Sequence, residues 1–213
     1  MCSRVTRWTV TDDIALIRFM SYVSEYHDLE LFGQLSPNDL EHLAIRLWPD
    51  ADWNGDSNTT KSTSGLYCEL VGTESGNSFP LTWKVSHQTA TSSSSAESET
   101  ISTSTAVRHC ALPVQTLISD MLGALVPIDC RVDNTQALQA IKKGYSKRLR
   151  CLSRTHRCSI GAMHEIYNDP EAALDVEYHA TATHKGDFFT KSLNPAPFAE
   201  ARERIGMRRA AKL

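Results

Sequence analysis

The segment Ala44-Ile-Arg-Leu-Trp-Pro-Asp-Ala-Asp-Trp-Asn-Gly-Asp56 joins an apolar strand pattern to spaced acids and a turn. Apolar side chains recur at every second position from Leu43 to Leu47, the period of a strand that buries one face. Pro49 lacks a backbone N–H, which predicts a bulge or local distortion in this strand. Asp50 follows where the strand leaves the core, and Asn54-Gly55 predicts a tight turn. A buried, unpaired carboxylate is costly, so either Asp50 binds a divalent metal or it is a solvated acid at a strand end.

The same acids also match half of a calcium-binding loop. Asp50-x-Asp52-x-Asn54-Gly55 is the first half of an EF-hand pattern, in which the glycine permits a sharp turn and oxygens alternate around the ion. The second half disagrees, because Lys61 occupies the position of a bidentate glutamate and Ser57 that of an apolar residue. The preceding segment has a strand pattern, where an EF-hand has a helix. We therefore expect no EF-hand and assign Asp52 and Asp56 to turn structure.

Composition limits the classes of protein that this chain can belong to. Its 213 residues suffice for one buried core with an appendage, or for two small domains. A net charge of −3 excludes a polycation, so nucleic-acid binding requires a local basic surface. Six cysteines form no C-x-x-C pair, and no apolar run has the length of a signal peptide or a membrane span. We expect a soluble intracellular protein, cytoplasmic or nuclear, with free thiols and no membrane partner.

Strand and helix patterns alternate along the chain. Three strands joined by short polar turns predict an antiparallel meander, and two further strands follow later. These five strands are Leu43–Trp48, Leu66–Gly72, Phe79–Val85, Val126–Asp133 and Ala173–His179, and a short additional strand is predicted before them at Leu29–Phe32. Helices are predicted to start at or near Thr11, Ser94, Thr135, Ser153, His184 and Pro197. The first of these carries an apolar stripe that could cover the following domain, formed by Leu16, Phe19, Met20, Val23 and Tyr26.

Three further acids lie near strand or helix ends. Ser94-x-x-Glu97 is a capping box, and the apolar stripe of the helix that follows includes Glu99, which places Glu99 inward. Asp133 ends a strand, and Asp187 begins a helix. A solvated first-turn acid would be the ordinary role of Glu99, and an N-cap that of Asp133.

A basic segment lies between Asp133 and Glu165, where the sequence has no acidic residue. Solvated charge runs normally mix signs, so this one-signed segment is typical of an anion-binding surface, and phosphate backbone is the expected anion. Its basic residues are Lys142, Lys143, Lys147, Arg148, Arg150, Arg154 and Arg157.

Together these features resemble the ribonuclease H domain of copia-type retrotransposon Pol polyproteins. Seven segments appear in the family's order and spacing from about Leu43 to Met207. They are Asp50-Ala-Asp-Trp53, Lys61-Ser-Thr-Ser-Gly65, Leu81-Thr-Trp83, Ser94-Ser-Ala-Glu-Ser-Glu99, Val132-Asp-Asn-Thr-Gln-Ala137, Ser153-Arg-Thr155 and Gly186-Asp-Phe-Phe-Thr-Lys191. In addition, Arg7-Trp8-Thr9 and the first helix resemble the end of the polymerase-connection region that precedes this domain.

The resemblance implies an α/β fold, namely the ribonuclease H-like five-stranded mixed sheet, an antiparallel three-strand meander plus parallel strands, flanked by helices. It divides the chain into three parts. Residues 1–40 would be the helix and linker from the polymerase connection, residues 41–194 the ribonuclease H-like domain, and residues 195–213 a C-terminal helix with a basic tail.

The resemblance also implies an endonuclease that cleaves the RNA strand of RNA–DNA hybrids, as part or remnant of a Pol polyprotein. A reverse transcriptase domain of the same polyprotein is a candidate partner. The implied catalytic and metal-binding residues are Asp50, Glu99, Asp133 and Asp187, which would hold two Mg²⁺ ions, with Mn²⁺ as a substitute. Asp50 would bridge the ions, Asp187 would share one of them, and the other two acids would hold the second.

The sequence is also compatible with two other functions. A non-catalytic nucleic-acid-binding module of the same fold is one, although such a module would gain affinity by losing acids near phosphate. A calcium-binding structural protein is another. His184 and His179 each could assist proton transfer or product release, or could be structural.

Overall fold

The computed structural model describes residues 2–56 and 59–209. The predicted roles of Ser57 and of the last residues of the basic tail, 210–213, lie outside this range. Within the described ranges, no helix combines the length and the apolar character needed to cross a membrane.

Seven strands and eight α-helices form the described part of the chain. The strands are β1 Leu29–Leu31, β2 Leu43–Asp52, β3 Thr63–Gly72, β4 Ser78–His87, β5 Ile128–Val132, β6 Leu174–Tyr178 and β7 Met207–Arg209. The helices are α1 Val10–Glu25, α2 Ser95–Ala106, α3 Leu112–Leu122, α4 Thr135–Lys143, α5 Leu152–Thr155, α6 Ile160–Asn168, α7 Asp187–Thr190 and α8 Pro195–Arg204.

Five strands form the main sheet in the order β4-β3-β2-β5-β6. The first three are an antiparallel meander, whereas β5 runs parallel to β2 and to β6. Ile45 and Leu47 of β2 are completely buried at the centre of this sheet, as their alternation predicts. The predicted α/β class, a five-stranded mixed sheet flanked by helices, is confirmed.

The predicted distortion at Pro49 is wrong. The pairing of β2 with β3 is continuous from Leu43 to Asp52, and the register shift occurs instead between Cys68 and Glu69, in the pairing of β3 with β4. Strand β5 pairs with β2 only from Ile45 to Leu47. Pro49 lies beyond that pairing, so β2 has one hydrogen-bonded neighbour there and tolerates a residue without a backbone donor.

A second, two-stranded sheet pairs β1, which follows α1, with β7, the last strand of the described chain. The rings of Tyr22 on α1 and Phe198 on α8 pack edge to face at 5.5 Å. Most of the apolar stripe of α1 remains exposed, with Phe19 at 51% and Met20 at 54%, so α1 covers less of the domain than its pattern predicts. Helix α1 also begins earlier than expected, with Thr9 at the N-cap in place of Thr11.

Pro113, which lacks a backbone donor, is expected to kink the helix that begins after Ser94 or to divide it into two. The structure has two α-helices, α2 and α3, joined by a π-helical turn at Val107–Ala111, and Pro113 lies in the first turn of α3. One helix prediction is corrected by the structure. Ser153 lies inside the short helix α5 and is not a cap, whereas Ser159 caps α6 by accepting a hydrogen bond from Ala162 N.

Candidate metal centre

The structure brings all four predicted carboxylates together around Asp50. Asp50, Glu99 and Asp133 each place one ligating atom within 4.8 Å of the others, and Asp50, His184 and Asp187 do the same. Asp50 therefore belongs to two adjacent groups of three side chains. This is the relationship that the family resemblance implies for a carboxylate between two cations.

Parallel pairing places Asp50 near Asp133. Strands β2 and β5 run in the same direction, so their carboxyl ends lie at the same edge of the sheet. Asp50 lies near the end of β2, and Asp133 directly follows Val132, the last residue of β5. Asp50 is completely buried, whereas Asp133 is partly exposed and accepts a hydrogen bond from Thr181 Oγ1 at 2.9 Å.

Helix α2 brings Glu99 to the same edge. Ser102 Oγ donates a hydrogen bond to the carbonyl of Asp50 at 2.8 Å and ties the helix to β2. One turn earlier, Glu99 Oε1 accepts a hydrogen bond from Ala51 N at 3.3 Å. Small buried residues such as Ser98 permit the close approach of helix and sheet. The predicted inward orientation of Glu99 is confirmed.

Helix α7 carries the fourth acid, Asp187, and packs against β2 and β3. A Cβ atom added to Gly65 would lie 2.6 Å from Thr190 Cγ2, so the glycine is required for this close packing. Thr190 Oγ1 donates a hydrogen bond to Asp50 Oδ2. Lys191 Nζ lies 2.7 Å from Asp187 Oδ1 and 3.9 Å from Asp50 Oδ1, so one ammonium faces both acids.

Burial and mutual repulsion disfavour simultaneous ionisation of these acids. Burial, together with the negative charges of Asp50 and Asp133, raises the pKa of Glu99 to about 10. Burial also raises the pKa of Asp50, although the positive charge of Lys191 and the hydrogen bond from Thr190 oppose that shift. Lys191 alone therefore supplies too little positive charge to keep all of these carboxylates ionised.

The donor set fits a divalent cation. Asp50 Oδ1 is buried and has no hydrogen-bond partner in the described part of the chain. Buried carboxylates that must stay ionised together need a nearby cation. Carboxylate oxygens are hard ligands and suit cations such as Mg²⁺ or Mn²⁺.

The turn that follows β2 does not form an EF-hand. Strand β2 continues through Asp52, and the Asp52 carboxylate accepts a hydrogen bond from the backbone N–H of Thr63 on the paired strand. Asp56 accepts a hydrogen bond from Thr59 Oγ1 at 2.6 Å. Both acids therefore support the turn, as predicted, and the strand geometry contradicts the EF-hand hypothesis.

Two histidines lie beside the carboxylates in different environments. His184 is buried, and its Nε2 bonds to the carbonyl of Arg131 at 2.8 Å. His179 is partly exposed, and its Nε2 lies 2.9 Å from Thr183 Oγ1. Both rings pack edge to face on Trp48, at 5.4 Å for His184 and 4.8 Å for His179. Of the two, only His184 belongs to a ligand group identified in the described residues.

The predicted basic segment faces solvent and packs against α2, which carries Glu99, and against α4, which follows Asp133. Its apolar residues Leu149 and Leu152 are buried in a cluster with Ala96 of α2 and Ala140 of α4. This packing anchors the segment and leaves its charged side chains outside. All seven predicted basic residues are exposed: Lys142, Lys143, Lys147, Arg148, Arg150, Arg154 and Arg157.

Some residues of the site were missed by sequence reasoning. Lys191 belongs to a recognised motif, and its spacing of four residues from Asp187 indicates a helical ion pair, yet it was not assigned to the site. Gly186 was also missed, although a Cβ there would lie 2.8 Å from Asp50 Cβ. Its close contact has no local sequence signal, because the neighbour comes from a distant strand.

No family model and no curated protein matches the sequence. Two solved structures are similar to it. RNase H1 from the halophilic archaeon Halobacterium salinarum NRC-1 is 12% identical, with a TM-score of 0.43 over 69% of this chain and 94% of that chain. The N-terminal RNase H domain of a Mycobacterium tuberculosis protein, solved as a fusion with maltose-binding protein, is 9% identical, with a TM-score of 0.43 over 76% of this chain and 97% of that chain. These similarities are too low to assign an activity, so function must be inferred from the chain's own residues.

Proposed function

We propose that this protein is a metal-dependent endonuclease that cleaves the RNA strand of RNA–DNA hybrids. The observation that carries the proposal is the position of Asp50, which is common to two adjacent groups of potential ligands. A buried carboxylate shared in this way is suited to bridge two divalent ions, which we take to be Mg²⁺. A pair of such ions, when bound, activates water and stabilises the leaving oxygen in phosphodiester hydrolysis.

Four carboxylate side chains of this chain would be the ligands of the two ions. Asp50 and Asp187 would hold one, and Glu99 and Asp133 would complete the second position with Asp50. Ser102 fixes the backbone of Asp50, and Thr190 orients its carboxylate through a hydrogen bond. These contacts hold the carboxylates in place before substrate arrives, which lowers the reorganisation needed during the reaction.

The exposed basic segment supports a nucleic-acid substrate. It packs through Leu149 and Leu152 against α2, which carries Glu99, and against α4, which follows Asp133. This surface would bind the phosphate backbone, since the chain as a whole, with a net charge of −3, offers no general attraction for polyanions. Selection of RNA would require contacts to the 2′-hydroxyl groups of the RNA strand in the minor groove.

We also propose that this domain belongs to a larger polyprotein. We infer from the sequence motifs that residues 1–40 derive from a polymerase connection and that residues 41–194 are the ribonuclease H-like domain of a retrotransposon Pol polyprotein or its remnant. A reverse transcriptase domain of that polyprotein would be the partner. The terminal region of residues 195–213 would add a helix and a basic tail, of which residues 195–209 are described.

Cleavage of a labelled RNA–DNA hybrid in Mg²⁺ tests the proposal. The wild-type chain is expected to cut the RNA strand, and Asp50→Asn to abolish cutting without loss of hybrid binding. Asp120→Asn, at an exposed position on α3, is the matched control and should cut normally. Binding without metal-dependent cutting by the wild type would reject the nuclease and support the non-catalytic binding module instead.

A further inference from the structure

We propose that His184 is a nitrogen ligand of the cation position formed with Asp50 and Asp187, and that this position prefers Mn²⁺ to Mg²⁺. The inference deepens the proposed function, on which it rests. It makes the two cation positions chemically different, since the described ligands of the second position are carboxylates alone, from Asp50, Glu99 and Asp133.

The hydrogen bond at Nε2 determines which nitrogen of His184 can bind a metal. The carbonyl of Arg131 can only accept, so Nε2, at 2.8 Å, carries the hydrogen and donates it. In the neutral ring, Nδ1 then carries the free lone pair. Histidines that ligate metals commonly donate their other N–H to a backbone carbonyl, which fixes both the tautomer and the orientation of the ring.

The free nitrogen faces an acidic partner in a buried place. His184 Nδ1 has no hydrogen-bond partner in the described part of the chain, and the side chain is completely buried. Asp187 Oδ1 lies 3.9 Å away. A lone pair and a carboxylate are both acceptors, so they cannot bond directly, and a cation between them would satisfy both. Asp50 Oδ1, the other buried atom without a hydrogen bond in this group, would be the third ligand.

Packing keeps the His184 ring where a ligand would have to be. Trp48 packs edge to face on the ring at 5.4 Å. On another side, a Cβ added to Gly186 would lie 2.8 Å from His184 Cε1 and 2.8 Å from Asp50 Cβ, so the glycine lets these two side chains approach each other. Trp48, Gly186 and the hydrogen bond to Arg131 therefore hold the ring in place before any ion binds.

The ligand chemistry predicts the choice of metal. Imidazole nitrogen is a softer donor than a carboxylate and binds divalent transition-metal ions, including Mn²⁺ at the weak end of their affinity order, more readily than it binds Mg²⁺. Mn²⁺ accepts both oxygen and nitrogen ligands, so a position with two carboxylates and one imidazole should bind Mn²⁺ more tightly than Mg²⁺. The Lys191 ammonium, 2.7 Å from Asp187 Oδ1, competes with a cation for the same carboxylates.

Electron spin-echo spectroscopy of the full chain loaded with Mn²⁺ alone tests this inference without measuring activity. We expect nitrogen modulation from a directly bound imidazole in the wild-type chain. Labelling histidine with ¹⁵N should change its frequency, which identifies histidine as the ligand without any substitution that could affect folding. Absence of nitrogen modulation in the wild type, or modulation unaffected by the label, would overturn the proposal.

Two variants assign the signal to one histidine. His184→Gln should abolish the modulation and weaken Mn²⁺ binding more than Mg²⁺ binding, as measured by calorimetry. His179→Gln is the matched control, because His179 packs on the same Trp48 ring but lies outside the described ligand groups, and it should retain the modulation. Modulation that survives in His184→Gln would reject the assignment. A wild-type chain that cleaves hybrids in Mg²⁺ but shows no nitrogen coupling would leave the nuclease proposal intact and refute the histidine ligand alone.

Discussion

Glu69, buried on β3, forms an ion pair with the partly buried Lys185 in the loop before α7, in which Lys185 Nζ donates to both carboxylate oxygens, at 2.8 and 2.7 Å. Trp48 Nε1 donates a further hydrogen bond to Glu69 Oε1 at 2.8 Å. The pair joins the main sheet to the segment that carries His184 and Asp187. It therefore helps to position that side of the candidate metal centre, although it does not belong to the ligand groups.

Removal of one partner of this ion pair should destabilise the protein strongly. Lys185→Met leaves the buried Glu69 carboxylate without its counter-charge, and we expect the free energy of unfolding to fall by about 3–5 kcal/mol. Urea unfolding measures the change. The double variant Glu69→Gln with Lys185→Met removes both charges and should lose less than the single variant. If the single variant lost no more stability than the double variant, the attraction between Glu69 and Lys185 would not be stabilising.

Stability should depend on pH through Glu99 in the metal-free chain. The pKa of Glu99 is about 10 in the folded protein and has an ordinary value of 4.5, so between these values the folded state holds a proton that the unfolded chain releases. Stability is then greatest below the ordinary value and falls as pH rises, by up to about 1.4 kcal/mol per pH unit. Urea unfolding in EDTA from about pH 5 to pH 8 measures this slope.

Glu99→Gln should remove most of that dependence, since the neutral amide does not titrate. Glu165→Gln, at an exposed position on α6, is the control and should leave the slope unchanged. An equal change of stability with pH in the wild type and in Glu99→Gln would contradict a raised pKa for Glu99.

Gly186 should be needed for the shape of the metal centre and not for backbone flexibility. Its φ of −62° is accessible to any residue, but an added Cβ would meet Asp50 and His184. Gly186→Ala should therefore weaken Mn²⁺ binding by about tenfold or more, equivalent to about 1.4 kcal/mol, in a calorimetric titration. Gly161→Ala places a methyl group on α6, where the nearest atom is 3.8 Å away, and should leave metal binding unchanged. Equal affinities for the two variants would show that the close contact at Gly186 is unimportant.

Lys191 should compete with divalent ions. Its ammonium contacts Asp187 and faces Asp50, so Lys191→Gln removes a positive charge from the place where a cation would bind. We expect Mn²⁺ affinity to rise by about tenfold, because the ion no longer has to displace the ammonium. Calorimetry measures the change, with Lys84→Gln on β4 as an exposed control. Weaker binding in Lys191→Gln would mean that the lysine supports the ion.

The basic segment should supply the electrostatic part of nucleic-acid binding. The triple variant with Arg148, Arg150 and Arg154 changed to Gln should weaken hybrid binding and lower the slope of log affinity against log salt by about two to three. Fluorescence anisotropy in EDTA measures binding without cleavage. A control triple variant with three exposed basic residues changed to Gln should keep the wild-type slope: Arg7, Arg18 and Lys84. Equal slopes for the two triple variants would place the nucleic-acid surface elsewhere.

Local patterns in the sequence determined the elements of the fold. Alternation from Leu43 to Leu47 predicted the central strand, and the Ser94 cap predicted the start of α2, where Ser94 Oγ accepts a hydrogen bond from Glu97 N at 3.2 Å. The inward face of α2 also predicted the burial of Glu99. These features depend on neighbours within a few residues, so periodicity and capping suffice to predict them.

Contacts between distant segments were decided only by the tertiary structure. Pro49 is tolerated in β2 because the pairing of β5 with β2 ends before it. Most of the apolar stripe of α1 stays exposed, although Tyr22 of the same helix packs on Phe198 of α8. Glu69 and Lys185 are 116 positions apart in the sequence. His184 and Asp50 come close to each other because the residue between their side chains, Gly186, has no Cβ atom. A sequence pattern reports which face of an element is apolar, but the partner of that face depends on how the whole chain packs. The sequence by itself therefore determined which acids were candidates, and the packing of α2, α7 and β5 around β2 decided that they meet.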